Sequence, residues 1–405
     1  MSEVEKFYNR FKEYSKIDTT SNEVFTDKPS NENEFVLANL LKKQLEELGL
    51  IDLYINKFAT VYGYLPGNDE NNKDSIALIA HLDTSNQANG KDIKARLVKF
   101  DGSDILLSNN IYLSKLDYPV LRNKIGHNLI VSDGTTLLGG DDKAGITIIM
   151  ELIEYLVNNK NVKHCPIEVI FTSDEEIGVG ADHVDIDKIK SKFGYTIDGG
   201  DLRYIEAENF NGASMKVIIN GRAIHPGYAK DKMINAINVG IKFHNSLPEF
   251  LRPEDTSNRQ GFYHLSDING NEEKTVMVYI IREHDINKLN YMIEIANLSK
   301  ERINNMYKKD IISLDIKLAY KNMKPELDKH KEVVDKIEKA YQNLNISYEF
   351  EAIRGGTDGA SLTYKGLPCP NIATGSYNYH SRFEFIDVDE SICVINILKE
   401  IVTNK

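Results

Sequence analysis

Ser75-Ile-Ala-Leu-Ile-Ala-His81-Leu-Asp83 sets five apolar residues in succession before a histidine and an aspartate. A short, unbroken apolar run is the pattern of a strand buried on both faces, as in parallel sheets covered by helices. Period two puts His81 and Asp83 on one face, and in open α/β sheets ligands bind just beyond the carboxyl ends of strands. The pattern recurs downstream. Ile167-Glu-Val-Ile-Phe-Thr172 runs into Ser173-Asp174-Glu175-Glu176, and Phe193-Gly-Tyr-Thr-Ile197 ends in Asp198-Gly-Gly. Between them, Gly139-Gly-Asp141-Asp142-Lys143 opens a segment, 139–157, with Ile146, Ile149, Ile153 and Leu156 on one helical face. Strands alternating with helices predict the α/β class, a sandwich with a mainly parallel sheet.

Outward from this centre, residues 2–16 and 31–48 read as amphipathic helices, and 50–56 and 61–65 as strands. Near residue 209 the texture changes. Residues 214–220 and 311–320 alternate like half-exposed strands, 276–281 reads as a strand, and 233–247 and 285–306 read as helices. This describes a smaller α+β domain with one bare sheet face. After Pro325 the helix–strand alternation resumes with a helix over 326–344. The expected organisation is therefore a catalytic domain in two parts, 1–208 and 321–405, with 209–320 inserted between them.

The 405 residues suit two to three domains at roughly 150 residues each. With 49 Lys plus Arg against 61 Asp plus Glu, the formal net charge is −12, which argues against nucleic acid or an anionic membrane as a general partner. Three cysteines (Cys165, Cys369 and Cys393) form no disulfide framework and suit a reducing, cytoplasmic setting. The N-terminal stretch mixes charges and does not read as a signal peptide or anchor. No apolar run approaches the ~18 residues needed to span a bilayer.

Each acidic strand end has an ordinary explanation when taken alone. His81 and Asp83 could be a strand-to-turn pair, Asp141 and Asp142 helix caps, and Asp174-Glu175-Glu176 a solvated turn. Their joint occurrence, with a second histidine in the late loop Thr374-Gly-Ser-Tyr-Asn-Tyr-His380, points instead to a carboxylate–imidazole site. Mixed Asp/Glu/His ligation suits zinc, and two histidines with three carboxylates can supply a bridged pair of ions for hydrolysis. Neighbouring acids in Asp174-Glu175-Glu176 diverge, so one can bind metal while the next reaches a water, as a general base must.

These motifs resemble the di-zinc aminoacylase/carboxypeptidase metallopeptidase family. Leu78-Ile-Ala-His81-Leu-Asp83-Thr, Gly139-Gly-Asp141-Asp142-Lys-Ala-Gly and Asp174-Glu175-Glu176-Ile-Gly carry the likeness. Gly221-Arg-Ala-Ile-His225-Pro-Gly, Tyr279-Ile-Ile-Arg282, Ile353-Arg354-Gly-Gly-Thr-Asp358-Gly-Ala and Tyr377-Asn378-Tyr-His380 are similar to its tripeptide aminopeptidase branch. The resemblance implies two zinc ions per subunit: His81, Asp141 and Asp198 on one, Asp141, Glu176 and His380 on the other, with Asp141 bridging. It implies that Asp83 orients His81, that Glu175 is the general base, and that Arg282, Arg354 and Asn378 hold a tripeptide. The inserted domain would be a lid and dimerisation domain whose His225 reaches the neighbouring subunit of a homodimer. Ser173, Gly140, Ser376 and Ser381 depart from the usual pattern, and none of them removes a ligand or the base.

His127, His164, His183, His244, His264, His284 and His330 read as structural or solvated. Two other readings stand beside the aminopeptidase. One is a carboxypeptidase or N-deacylase on the same zinc core, and the other a zinc- or peptide-binding protein without turnover.

Overall fold

The computed structural model describes residues 1–22 and 29–404. The described chain divides into two compact units, one of residues 1–207, 325–351 and 357–405, the other of 208–324 and 352–356. Residues 352–356, which include Arg354, thus group with the second unit and not with the first.

The first unit is built on an eight-stranded sheet. Its order is Ile51–Ile55, Val61–Leu65, Ile167–Thr172, Ile76–His81, Phe193–Gly199, Asn371–Ala373, Tyr204–Asn209 and Glu349–Ile353. The sheet is mixed: Ile76–His81 runs parallel to both Ile167–Thr172 and Phe193–Gly199, and Asn371–Ala373 continues the parallel centre. The pairings of Val61–Leu65 with its two neighbours are antiparallel. Every residue of Ile76–His81 and of Ile167–Thr172 is buried, as the continuous apolar runs require. The Gly140–Asn158 helix packs Ile146, Ile149 and Ile153 into the same core as Leu78 and Val169.

The parallel register decides where the acids go. His81 pairs with Thr172, and the Leu82 N–H donates to the Thr172 carbonyl at 2.8 Å. The Leu82-Asp83 and Ser173-Asp174-Glu175 turns therefore leave the sheet side by side, with Asp198 near the end of the next strand.

The sequence patterns do not anticipate a second, antiparallel sheet in this unit. It is ordered Ser376–Tyr377, Phe385–Asp387, Asn128–Val131, Arg96–Lys99 and has its own apolar cluster around Phe100, Leu121 and Phe385. Its strands are two to four residues long, too short for a period to show. The helix expected over 326–344 is also interrupted, as Lys324–Leu327 and Lys331–Asn343.

The second unit is a four-stranded antiparallel sheet, Phe262–Gly270, Lys274–Glu283, Asn211–Asn220, Ile312–Tyr320. Alternate residues Ala213, Met215, Val217 and Ile219 pack against Val239 and Phe243 of Ala236–His244 and Leu289, Met292 and Ala296 of Ile286–Tyr307. This is the α+β texture expected, with one more strand, Phe262–Gly270, than the alternation reveals. That strand is mostly exposed, so it carries little apolar pattern. Among the described residues, no helix is long and apolar enough to cross a membrane.

Candidate active site

His81 is 2% exposed at the end of its strand and both ring nitrogens are engaged. Nδ1 lies 3.1 Å from the Asp83 carbonyl and 3.3 Å from Asp83 Oδ1, while Nε2 lies 2.9 Å from Asp141 Oδ1 and 3.5 Å from Asp198 Oδ1. The fully buried Asp83 carboxylate also accepts the backbone N–H groups of Glu175 and Glu176, at 2.9 and 3.1 Å. One side chain thus orients the histidine and pins the turn that carries both glutamates.

His380 approaches from the late loop. Its Nε2 lies 3.2 Å from Asp141 Oδ2 and 3.0 Å from Glu176 Oε2. Asp141 is therefore shared: one oxygen faces His81 and the other faces His380. Two groups of potential ligand atoms result, His81/Asp141/Asp198 and Asp141/Glu176/His380, each within 4.8 Å.

The adjacent aspartates divide the two roles open to them. Asp141 and Asp142 have non-helical backbone angles at the start of the Gly140–Asn158 helix. Asp142 turns inward, where its carboxylate accepts the N–H of Gly145, as a cap does, and the N–H of His81, both at 3.1 Å. Asp141 faces the histidines.

Proton affinities follow from this crowding. Burial would raise Asp141, but the hydrogen bonds from His380 and His81 outweigh it and hold its carboxyl well below the usual range. Burial works against a charged His380, yet Asp141 and Glu176 push its pKa up to about 11. Burial, with Asp141 adding, takes Glu176 up to about 7, and burial takes Asp198 up to about 6 against the pull of His81. Burial also pushes Glu175 well up, with Asp198, Asp358 and Glu176 contributing and His81 opposing. Glu175, His81, Asp198 and Asp358 line one small pocket.

The donor set fits metal. Two imidazoles and three carboxylates converge, and the buried Glu176 Oε1 has no hydrogen-bond partner. Mixed nitrogen and oxygen donors of this kind suit a divalent metal ion.

A family model described as peptidase family M20/M25/M40 matches residues 134–404. The chain belongs to peptidase family M20/M25/M40. As a member of that family it is an enzyme, a hydrolase of the peptidase class. It is 42% identical over 402 residues to "Peptidase T" of Clostridium novyi (strain NT), covering 98% of this chain and 99% of that one. Its fold is similar to that of the aminopeptidase PepT from Bacillus cereus ATCC 10987, with a TM-score of 0.77, 23% identity, and 99% and 98% of the two chains covered. The YXEP protein of Bacillus subtilis, described as a dinuclear metal binding peptidase from the M20 family, aligns with a TM-score of 0.65 and 12% identity over 98% and 97%.

The remaining candidates from the sequence are Arg282, Arg354, His225 and Asn378. In the second unit, Arg282 and Arg354 stand at the end of the sheet where Gly212, Phe262 and Tyr320 meet. Arg282 lies 4.9 Å from the Tyr320 ring centroid. Arg354 donates to the Asn258 and Gln260 carbonyls at 2.6 and 3.1 Å and lies 5.2 Å from the Phe210 ring centroid. The exposed His225 accepts the Gly227 N–H at Nδ1, 3.2 Å, so a neutral ring carries its proton on Nε2. In the first unit, the Asn378 carboxamide donates to the Phe383 carbonyl at 3.0 Å, closing the loop that carries His380.

Two buried carboxylates beside the cluster, Asp358, quoted above within its motif, and Glu384, are given no role by the sequence patterns. Asp358 Oδ1 accepts the Ala181 N–H at 2.8 Å, and Oδ2 is buried without a hydrogen-bond partner. The closeness of Asp358 in sequence to Arg354-Gly-Gly-Thr was the available signal.

Proposed function

We propose that this chain is a di-zinc aminopeptidase that releases the N-terminal residue from tripeptides. The observation that carries this reading is the shared Asp141, whose two oxygens face two histidines from distant parts of the chain, 2.9 Å from His81 and 3.2 Å from His380. Full-length similarity to a protein named Peptidase T supports the peptide substrate.

His81, Asp141 and Asp198 would hold one ion, and Asp141, Glu176 and His380 the other. When bound, the ions would lower the pKa of a water and polarise the scissile carbonyl. Glu175, backbone-pinned by Asp83, takes the proton of the attacking water and delivers it to the leaving amine. Asp83 keeps His81 in one orientation throughout. His225 of the partner subunit, with its Nε2 proton set by Gly227, donates to the developing oxyanion in a homodimer formed through the second unit. Arg282, Arg354 and Asn378 hold the peptide, with a guanidinium fork on its terminal carboxylate. Such a carboxylate clamp would select peptides of three residues. Three free cysteines accord with a cytoplasmic setting.

Incubation with a free tripeptide and identification of the products tests this reading. Release of the N-terminal residue, abolished by N-acetylation, is expected. Release of the C-terminal residue, or cleavage of the acetylated peptide, would replace it with a carboxypeptidase or deacylase, and absence of turnover in zinc-loaded protein with a binding role.

A further inference from the structure

We propose that Glu384 is a positioning residue of the metal centre, clamping the loop of Asp141 to the loop that carries His380. This rests on the di-metal reading above. Glu384 is 2% exposed. Its Oε2 accepts the N–H groups of Leu138 and Gly139 at 2.7 and 2.8 Å, and its Oε1 accepts that of Asp141 at 3.0 Å. The main chain of Asp141 is thereby held by Glu384 while its carboxylate faces His380, four residues earlier in the same loop as Glu384. The result is a closed circuit: His380 to the Asp141 side chain, the Asp141 backbone to Glu384, and Glu384 back along the chain to His380. Neither wall of the centre can shift without the other.

The local sequence is built for this approach. Gly139 has φ 74°, a left-handed turn that favours glycine. A Cβ on Gly140 would stand 3.0 Å from Glu384 Oε1 and 3.1 Å from Ser376 Oγ, so the bare backbone lets the carboxylate come close. An acceptor-only group is required, because three donors converge on it. A glutamine would turn an NH₂ toward one of those N–H groups.

Glu168 supplies an internal comparison. Its Oε2 accepts the Lys190 N–H, the Ser191 N–H and the Ser191 hydroxyl at 2.9, 3.0 and 2.9 Å, the same kind of clamp with no candidate ligand in the loop it holds. Metal-stripped wild type, Glu384→Gln and Glu168→Gln should be titrated with zinc against a chromophoric chelator, and the melting of each metal-free protein recorded. Wild type is expected to take two ions, Glu384→Gln to bind them about 10–100-fold more weakly, the usual effect of removing an outer partner of a ligand, and Glu168→Gln to match wild type within about twofold.

Equal affinity of Glu384→Gln and wild type overturns the assignment. So does an equal loss in both variants, which would trace the effect to general stability. Failure of wild type itself to bind zinc defeats the di-metal reading and is told apart by that control. If Glu384→Gln does not fold, Glu384→Asp, too short to reach all three donors, takes its place under the same criteria. If neither folds, the clamp serves the fold alone and the proposal is wrong.

Discussion

His81/Asp141/Asp198 and His127/Asp387/Asp389 are each a histidine with two aspartates whose ligand atoms lie within 4.8 Å of one another. They differ in what else the carboxylates touch. In the second group His127 Nδ1 lies 2.7 Å from Asp387 Oδ2, but the buried Lys124 ammonium stands 3.6 Å from the same oxygen. Lys124 also bonds Glu390 and lies 2.7 Å from the Tyr377 hydroxyl. Asp387 further caps the Val388–Thr403 helix through the Glu390 N–H, and Asp389 accepts from Asn128. A cation is already built in, and each oxygen of the two carboxylates already has a partner. Among the described residues, the ion-pair partners of Asp141 are two imidazoles, His81 of the first group and His380 beyond it, and Glu176 beside it keeps an oxygen without a partner. Residue type alone does not make a metal site; the partners left over decide it.

That contrast can be broken in several ways. The largest effect is expected from Glu175→Gln, which should retain two zinc ions while turnover falls about 10²–10⁴-fold. Zinc counting with a tripeptide assay checks it, and near-wild-type activity would remove Glu175 as the base. Next, Lys124→Met should cost about 3–5 kcal/mol in denaturant unfolding, because it removes the buried cation from between the Glu390 and Asp387 carboxylates. Wild type should bind two ions and not three, and a third ion at His127 would erase the distinction between the clusters.

The third test is pH. In the metal-free site Glu176 and Asp198 have pKa values raised to about 7 and about 6, and His380 to about 11. A metal must displace those protons. Zinc affinity should therefore fall as pH drops through this range, by about tenfold per unit for each competing proton. A titration flat between pH 5 and 7.5 would contradict the assignment of these carboxylates as ligands. The smallest effect is expected from Asp142→Ala, which loses a helix cap and leaves the His81 N–H without its acceptor, about 1–3 kcal/mol. It should still take two ions at saturating zinc; loss of one would mean that Asp142, not Asp141 alone, serves the centre.

Much of this was legible along the chain. The fully buried strands Ile76–His81 and Ile167–Thr172 show as unbroken apolar runs, and the acids that follow them stand out against that background. The second sheet of the first unit was not legible. Phe385–Asp387 pairs with Asn128–Val131 across about 250 residues, and strands of three or four residues carry no measurable period. Phe262–Gly270 was missed for a related reason: its exposed positions demand no alternation. The break between Leu327 and Lys331 escaped because the apolar spacing on either side continues across it.

The sequence by itself determined which acids and histidines end strands or open helices, since burial of a strand or a helix face writes a short-range pattern into neighbouring residues. Only the tertiary structure decided which of them meet. Asp141 faces the histidines and Asp142 the helix, at the end of a Leu138–Asp141 segment whose N–H groups are held by Glu384, 243 residues away from Asp141. Lys124, brought 3.6 Å from Asp387, closes the rival cluster from across the chain. Such partnerships depend on where folded surfaces touch, and no local periodicity records them.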